Sequence, residues 1–284
     1  MKLKKIYQLI GFGVLYLAAI LVLLILGVVI WDIASKGTKV INWEFLTGFP
    51  RQGMTEGGIF PAIFGTVFVT IITTLFSIPL GVCSAIYLSE YAQENKLTKV
   101  IRASIKNLAG VPSIVYGLFG VALFVQGLHF GPSVLAAGLT LGLLTLPWII
   151  ATSEEALKTV PQSYREGSLA LGATKWQTIR TNVLPSAFPG ILTGAILGLS
   201  RAAGETAPIL FTGAAFFTPR LPGSLFDQFM ALPYHLYVLS TQHQSIEQVR
   251  PLAYATALVL IVLVFALNLS AIILRYRMRK KLFI

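Results

Sequence analysis

Residues 153–187 read SEEALKTVPQSYREGSLALGATKWQTIRTNVLPSA, a polar stretch set between long uncharged runs. Its punctuation predicts short helices rather than a flexible linker. Glu154 and Glu155 stand at helical spacing from Lys158, as i,i+4 and i,i+3 pairs, and Pro161 ends that helix. Ser163 and Glu166 fit a capping box that opens a second helix through Leu171. Gly172 is placed to close it as a C-cap, and ATKWQTI starts a third short helix that stops before Leu184–Pro185. Leu169, Ala170, Leu171, Trp176 and Ile179 form an apolar face. Projected into water, such a face needs a cover, either a partner or the rest of the chain.

The flanking runs settle what kind of protein carries this loop. The chain has 284 residues, 55% hydrophobic and only 12% charged, with mean hydropathy +0.77. A soluble domain carries about 25% charged residues, so the composition points to a bilayer. Uncharged runs long enough to cross about 30 Å of hydrocarbon occur at 10–31, 60–88, 188–217 and 252–274, the third of these interrupted by Arg201 and Glu205. A further run, 108–152, is too long for one helix, and QGLHFGPS at 126–133 divides it in two. Six transmembrane helices are expected, all-α. Pro112 and Pro147 read as kinks within the third and fourth. The first run is longer than a signal-peptide core and lacks a small-x-small cleavage site, so it reads as a retained helix.

Lysine and arginine fix the expected orientation. Of the 22, sixteen fall before span one, between spans two and three, between four and five, or after span six; five fall on the other face. Both termini and the 153–187 loop are therefore expected in the cytoplasm, in a multi-pass membrane protein. The net charge of +11 reflects this asymmetry. No segment offers the folded basic face of a nucleic-acid binder. Cys83, the single cysteine, excludes an intramolecular disulfide, and His129, His235 and His243 share no ligand spacing. No G-x-x-x-x-G-K-[ST] occurs, so any ATP and Mg belong to a partner.

The loop also resembles the EAA motif of ATP-binding-cassette import permeases. Glu166 takes the Glu position, Gly172 the Gly, and Leu184–Pro185 the Leu-Pro. Gly167 and Ser168 stand at the two Ala positions, and Asn182 departs from the usual Ile. NLAGVPSIVYGLFG (107–120), VPQSYREGSLALGATKWQTI (160–179) and LSRAAGETAPILFTG (199–213) are similar to the phosphate-importing members of that family. The RAxGE element alone is shared with sulfate and molybdate permeases, while GETAPI and GVPSIVYG favour phosphate. The resemblance implies a type I importer architecture: one permease domain over 1–284, with an extra helix at 10–31, a core at 60–275 and a coupling loop at 153–187. It also implies that Glu166, Gly167, Ser168, Leu169, Gly172 and Ala173 dock on a cytoplasmic ATPase dimer. The further implied partners are a second, related permease subunit and an extracytoplasmic phosphate-binding protein, with the lipid of a bacterial plasma membrane around the whole. The chain itself is not expected to be an enzyme.

Arg201 and Glu205 are the costly residues. A charge at a helix centre costs about 2.5 to 3.5 kcal/mol on insertion scales, so it faces a cavity, a partner helix or another charge. Arg201 lies thirteen residues beyond Phe188, about 20 Å along a helix, past the expected midplane. The two side chains share a face at i,i+4. Ala202, Ala203 and Gly204 allow a close helix approach, and Pro208 cannot donate to the Gly204 carbonyl. Two readings stay open: the pair holds the bundle together, or Arg201 offers its guanidinium to a passing oxyanion while Glu205 keeps the contact transient. The outer loops 32–59 and 214–250 are mixed, and either contacts a binding protein, forms a short re-entrant helix or is plain surface. A self-sufficient secondary transporter or channel is the alternative from another class, and it predicts inverted repeats, which are not evident in the sequence.

Overall fold

The computed structural model describes residues 2–282, of which the side chains of residues 2–6, 8–10, 274 and 278–282 lie outside the described set. The chain opens with α1 (Lys2–Gly37), whose central face is exposed throughout, and a short α2 (Trp43–Thr47). A two-residue hairpin follows, β1 (Pro50–Arg51) against β2 (Glu56–Gly57). Then come α3 (Phe60–Ile86), α4 (Lys96–Leu108), α5 (Ser113–Gly120), α6 (Val134–Lys158), α7 (Gln162–Ala170) and α8 (Lys175–Thr178). The chain closes with α9 (Leu184–Gly204), α10 (Ala207–Thr212), α11 (Leu232–Thr241) and α12 (Ile246–Leu282). Single π turns extend α3 at Tyr87–Tyr91 and α5 at Val121–Gly127, and join α8 to α9 at Ile179–Val183.

Among the described residues, five helical stretches are long and apolar enough to span a bilayer, and a bent pair makes a sixth. That pair departs from expectation. The third span does not start at Leu108. Leu108 ends α4, and the axis turns by 103° before Ser113–Gly127 continues. Pro112 is the N-cap of α5 rather than a kink inside a helix. Proline there excludes the α region for Val111, and the freed Leu108 carbonyl is taken by Val111 N–H at 3.1 Å and the Tyr116 hydroxyl at 2.9 Å. Pro147 does lie within α6.

The core is built on small residues. α3 and α6 lie side by side along their length; a Cβ at Gly138 would sit 2.6 Å from Ile72 Cγ2, and one at Gly81 2.5 Å from Ile149 Cγ2. Without hydrophobic drive inside a membrane, close backbone approach and hydrogen bonds between helices hold such a pair, and Thr73 donates to the Gly138 carbonyl at 3.1 Å. Gly190 meets Ala156 in the same way, seating α9 on the other side of α6. At the end of the bundle away from the 153–187 loop, Phe229–Leu232 threads fully buried past α3. There Leu232 N–H donates to Thr66 Oγ1 at 2.8 Å, and α11 follows as a half-buried helix within the expected 214–250 loop.

Candidate functional site: a broken helix and an exposed turn

The expected fifth span, 188–217, is not one helix. A continuous helical stretch starts at Lys175 and ends at Gly204. Glu205 is extended (φ −74°, ψ 134°), and α10 begins two residues on. Pro208 cannot bond back to Gly204, and Gly204 disfavours continuing the turn. Arg201 therefore occupies the last turn of α9, and Glu205 caps it from outside the helix. The two still meet, with Arg201 Nε 3.2 Å from Glu205 Oε1. Arg201's side chain is 57% exposed and Glu205's 17%. Among the described residues Nε makes the only hydrogen bond of that guanidinium, so its outer N–H groups are free.

The surroundings of this break come from segments distant in sequence. Arg201 borders a cavity of about 80 Å³ with Ala109 at the α4–α5 bend, Leu144, Thr145 and Trp148 of α6, and Leu197 and Gly198 of α9. α10 packs on α5: a Cβ at Gly117 would lie 3.0 Å from Phe211 Cδ2 and 3.1 Å from the Ala207 carbonyl. The 107–120 and 199–213 motifs thus form one contact, with both chain breaks beside each other. Ala202 and Ala203 are buried, whereas Gly204 is exposed, with no atom within 4 Å of where its Cβ would stand. That face is open in this chain.

At the other end of the bundle, α7 and α8 form a helix, a glycine turn and a helix. Gly172 has φ +82°. Its N–H bonds the Leu169 carbonyl at 3.0 Å, and Ala173 N–H bonds the Ser168 carbonyl at 3.3 Å; these two bonds with a left-handed residue make a Schellman motif. The capping box is displaced from its expected place. Pro161, with φ −57°, begins α7 without a side-chain cap, which puts Ser163 inside the helix. The box forms instead at Thr174 and Gln177, opening α8. Of the expected apolar face, Leu169, Leu171 and Trp176 are exposed, Leu171 at 91%, while Ile179 is buried. Nothing lies within 4 Å of a Cβ placed on Gly167 or Gly172. Ser168 Oγ accepts from Thr178 Oγ1 at 3.0 Å, tying α7 to α8.

Sequence reasoning missed a charged cluster beneath this loop. Arg165 grips Glu90 with both carboxylate oxygens, Nε–Oε2 at 3.1 Å and Nη2–Oε1 at 2.7 Å. Beside it, Arg102 pairs with Glu94 and with Glu154 (2.8 Å), and Lys158 also reaches Glu154 at 2.8 Å. Arg102 holds the Glu94 carboxyl below the usual carboxylate range through its hydrogen bond. The signal was SEYAQEN at 89–95, two carboxylates directly after an uncharged span.

The chain is similar to several known proteins. Residues 77–283 match the family of binding-protein-dependent transport system inner membrane components. The chain is 34% identical to the probable ABC transporter permease protein YqgI of Bacillus subtilis, covering 98% of both chains. It is 36% identical to the phosphate transport system permease protein PstA of Mycobacterium leprae, over 84% of this chain and 78% of that one. In fold it is similar to a bacterial ABC transporter that imports alginate (TM-score 0.69, 15% identity, 96% of each chain). It is also similar to the MetNI methionine ABC transporter (TM-score 0.62, 19% identity, 76% of this chain and 94% of that one).

Proposed function

The chain belongs to the binding-protein-dependent transport system inner membrane components, the permease subunits of ATP-binding-cassette importers, and from that premise we propose that its cargo is inorganic phosphate. The observation that carries the proposal is Arg201 at the end of a broken helix, paired through Nε alone with its outer N–H groups free. A planar guanidinium with free N–H groups suits a tetrahedral oxyanion. A lone arginine in a low-dielectric path would hold the anion too firmly, and Glu205 tempers it. Broken helices at membrane depth occur where backbone lines a cavity or is buried in protein. The relatives named as phosphate permeases support phosphate over other oxyanions.

In this account the open face at Gly204 meets a second, related permease subunit, and the path runs between the two. Glu166, Gly167, Ser168, Leu169, Gly172 and Ala173 dock on an ATPase dimer that supplies ATP and Mg, and an extracytoplasmic phosphate-binding protein delivers the cargo. Both termini lie in the cytoplasm, on the side of the lysine and arginine excess. ATP-driven closure of the ATPases moves α7 and α8, and that motion opens the path past Arg201.

The test is uptake of radiolabelled phosphate, sulfate and molybdate in cells that lack the gene and carry it back on a plasmid. Restored phosphate uptake, with the other two unchanged, supports the reading. Restored sulfate or molybdate uptake alone would move the cargo to that oxyanion.

A further inference from the structure

The clamp between Arg165 and Glu90 joins two elements that the coupling account needs joined. Arg165 belongs to α7, in which no residue is buried. Yet its own side chain is only 15% exposed and that of Glu90 only 7%. Besides its bidentate grip on Glu90, Arg165 donates to the Leu157 carbonyl at 3.0 Å through Nη2 and to the Val160 carbonyl at 2.9 Å through Nη1. One guanidinium therefore fastens α7 to the final turn of α6 and to the end of α3. A bidentate arginine pair fixes direction as well as distance, which a flexible lysine would not do.

Glu90 does not sit on ordinary helix. It lies in the π turn Tyr87–Tyr91, where Ala92 N–H reaches the Tyr87 carbonyl at 2.8 Å. Single π turns inside helices recur at functional places. This one is held from a second side, because Arg102 Nη2 donates to the Leu88 carbonyl at 2.8 Å while its other nitrogens pair with Glu94 and Glu154. α3, in turn, packs along α6 through the glycines described above. A short, buried, charged link thus connects α7 to α3, separate from the exposed loop backbone.

We propose that Arg165 and Glu90 are positioning residues that transmit the movement of the α7–α8 loop to α3, so that ATP hydrolysis on the partner is converted into transport. This rests on the reading of that loop as the ATPase-docking segment. The pair touches neither the cargo nor the exposed face at Leu169, Leu171 and Trp176. Its loss therefore separates hydrolysis from transport instead of preventing assembly.

The experiment uses the complete complex in proteoliposomes, with wild type, Glu90→Ala, Arg165→Ala and the double variant. Three quantities are read: ATPase retained on purification, hydrolysis stimulated by the phosphate-loaded binding protein, and phosphate accumulated per ATP hydrolysed. Each single variant is expected to keep the ATPase and its hydrolysis but to lose about fivefold or more in phosphate per ATP, and the double to be no worse than either single. Glu90→Asp, which keeps the carboxylate, is expected to recover part of the ratio. A wild-type ratio in either single variant overturns the proposal. So does a fall of complex yield, hydrolysis and transport together at constant ratio, because that is the mark of a purely structural pair. If the wild-type chain itself retains no ATPase, the docking reading fails, and this inference with it.

Discussion

Arg201 Nε and Glu205 Oε1 are 3.2 Å apart, yet only Arg201 is in a helix: α9 stops at Gly204 and Glu205 is extended. The i,i+4 pair is thus a contact across a helix end. Arg201's side chain is 57% exposed in this chain and Glu205's 17%, so the pair is not sealed inside the bundle, where its only role would be to hold helices together. The pair stands at a break whose far side, Ala207 and Pro208, packs closely on Gly117.

Gly167 separates docking from folding. Among the described residues nothing lies within 4 Å of a Cβ there, and glycine in a helix costs about 1 kcal/mol relative to alanine. Gly167→Ala is expected to leave the purified complex as stable or slightly more so. Gly167→Leu is expected to fold equally well but to lose the ATPase on affinity purification. Retention of the ATPase at wild-type stoichiometry by the leucine variant would count against docking through this helix.

Gly172 tests the turn itself. With φ +82° and open space around it, alanine meets no clash and only the backbone penalty, about 1 kcal/mol. Circular dichroism and detergent extraction should be unchanged for Gly172→Ala. Phosphate uptake should fall several-fold, because α8 is re-aimed relative to α7. Uptake equal to wild type would show that the angle between the two helices is unimportant.

Much of this is legible in the sequence. Helices 60–88 and 252–274 announce themselves because a bilayer admits no charge over about 20 residues, and Gly172 announces its turn because a left-handed C-cap wants glycine. The 103° bend before α5 was not legible. Leu108 to Thr152 carries no charge, and a proline after Val111 looks the same whether it kinks a helix or ends one. Glu90 and Arg165 stay hidden for a different reason, since 75 residues separate them and only the packing of α3 on α6 brings them together. The Ser163 cap failed because Pro161 set the helix start two residues earlier than the side-chain pattern implied.

Gly65 is the sharpest packing test. A Cβ there would overlap the Met230 carbonyl, in the buried strand-like segment before α11. Overpacking costs about 1–3 kcal/mol where a neighbour can shift, and here the neighbour is backbone. Gly65→Ala is expected to lower the melting temperature of the detergent-purified chain by several degrees. An unchanged melting temperature would mean that the 229–232 segment is not seated on α3.

His235, on α11, is buried with Nδ1 lacking a hydrogen-bond partner among the described residues. Burial pushes its pKa down from 6.5 to about 4, with the nearby His243 adding to the effect. The unfolded chain therefore binds the proton more readily between those values. This contribution to stability is complete above about pH 6.5 and is lost as pH falls towards 4. The melting temperature of wild type should drop more steeply over that range than that of His235→Gln. Parallel curves would show that the imidazole is solvated.

The most direct measurement is phosphate accumulation by Arg201→Gln in proteoliposomes containing the whole complex, with hydrolysis read in parallel. Glutamine keeps hydrogen-bonding capacity and removes the charge. The account predicts that the ATPase stays bound and is still stimulated by the loaded binding protein, while phosphate accumulation falls by about tenfold or more, a change of 1.4 kcal/mol or greater in the transport barrier. Accumulation at the wild-type rate would contradict it and leave Arg201 as no more than the partner of Glu205.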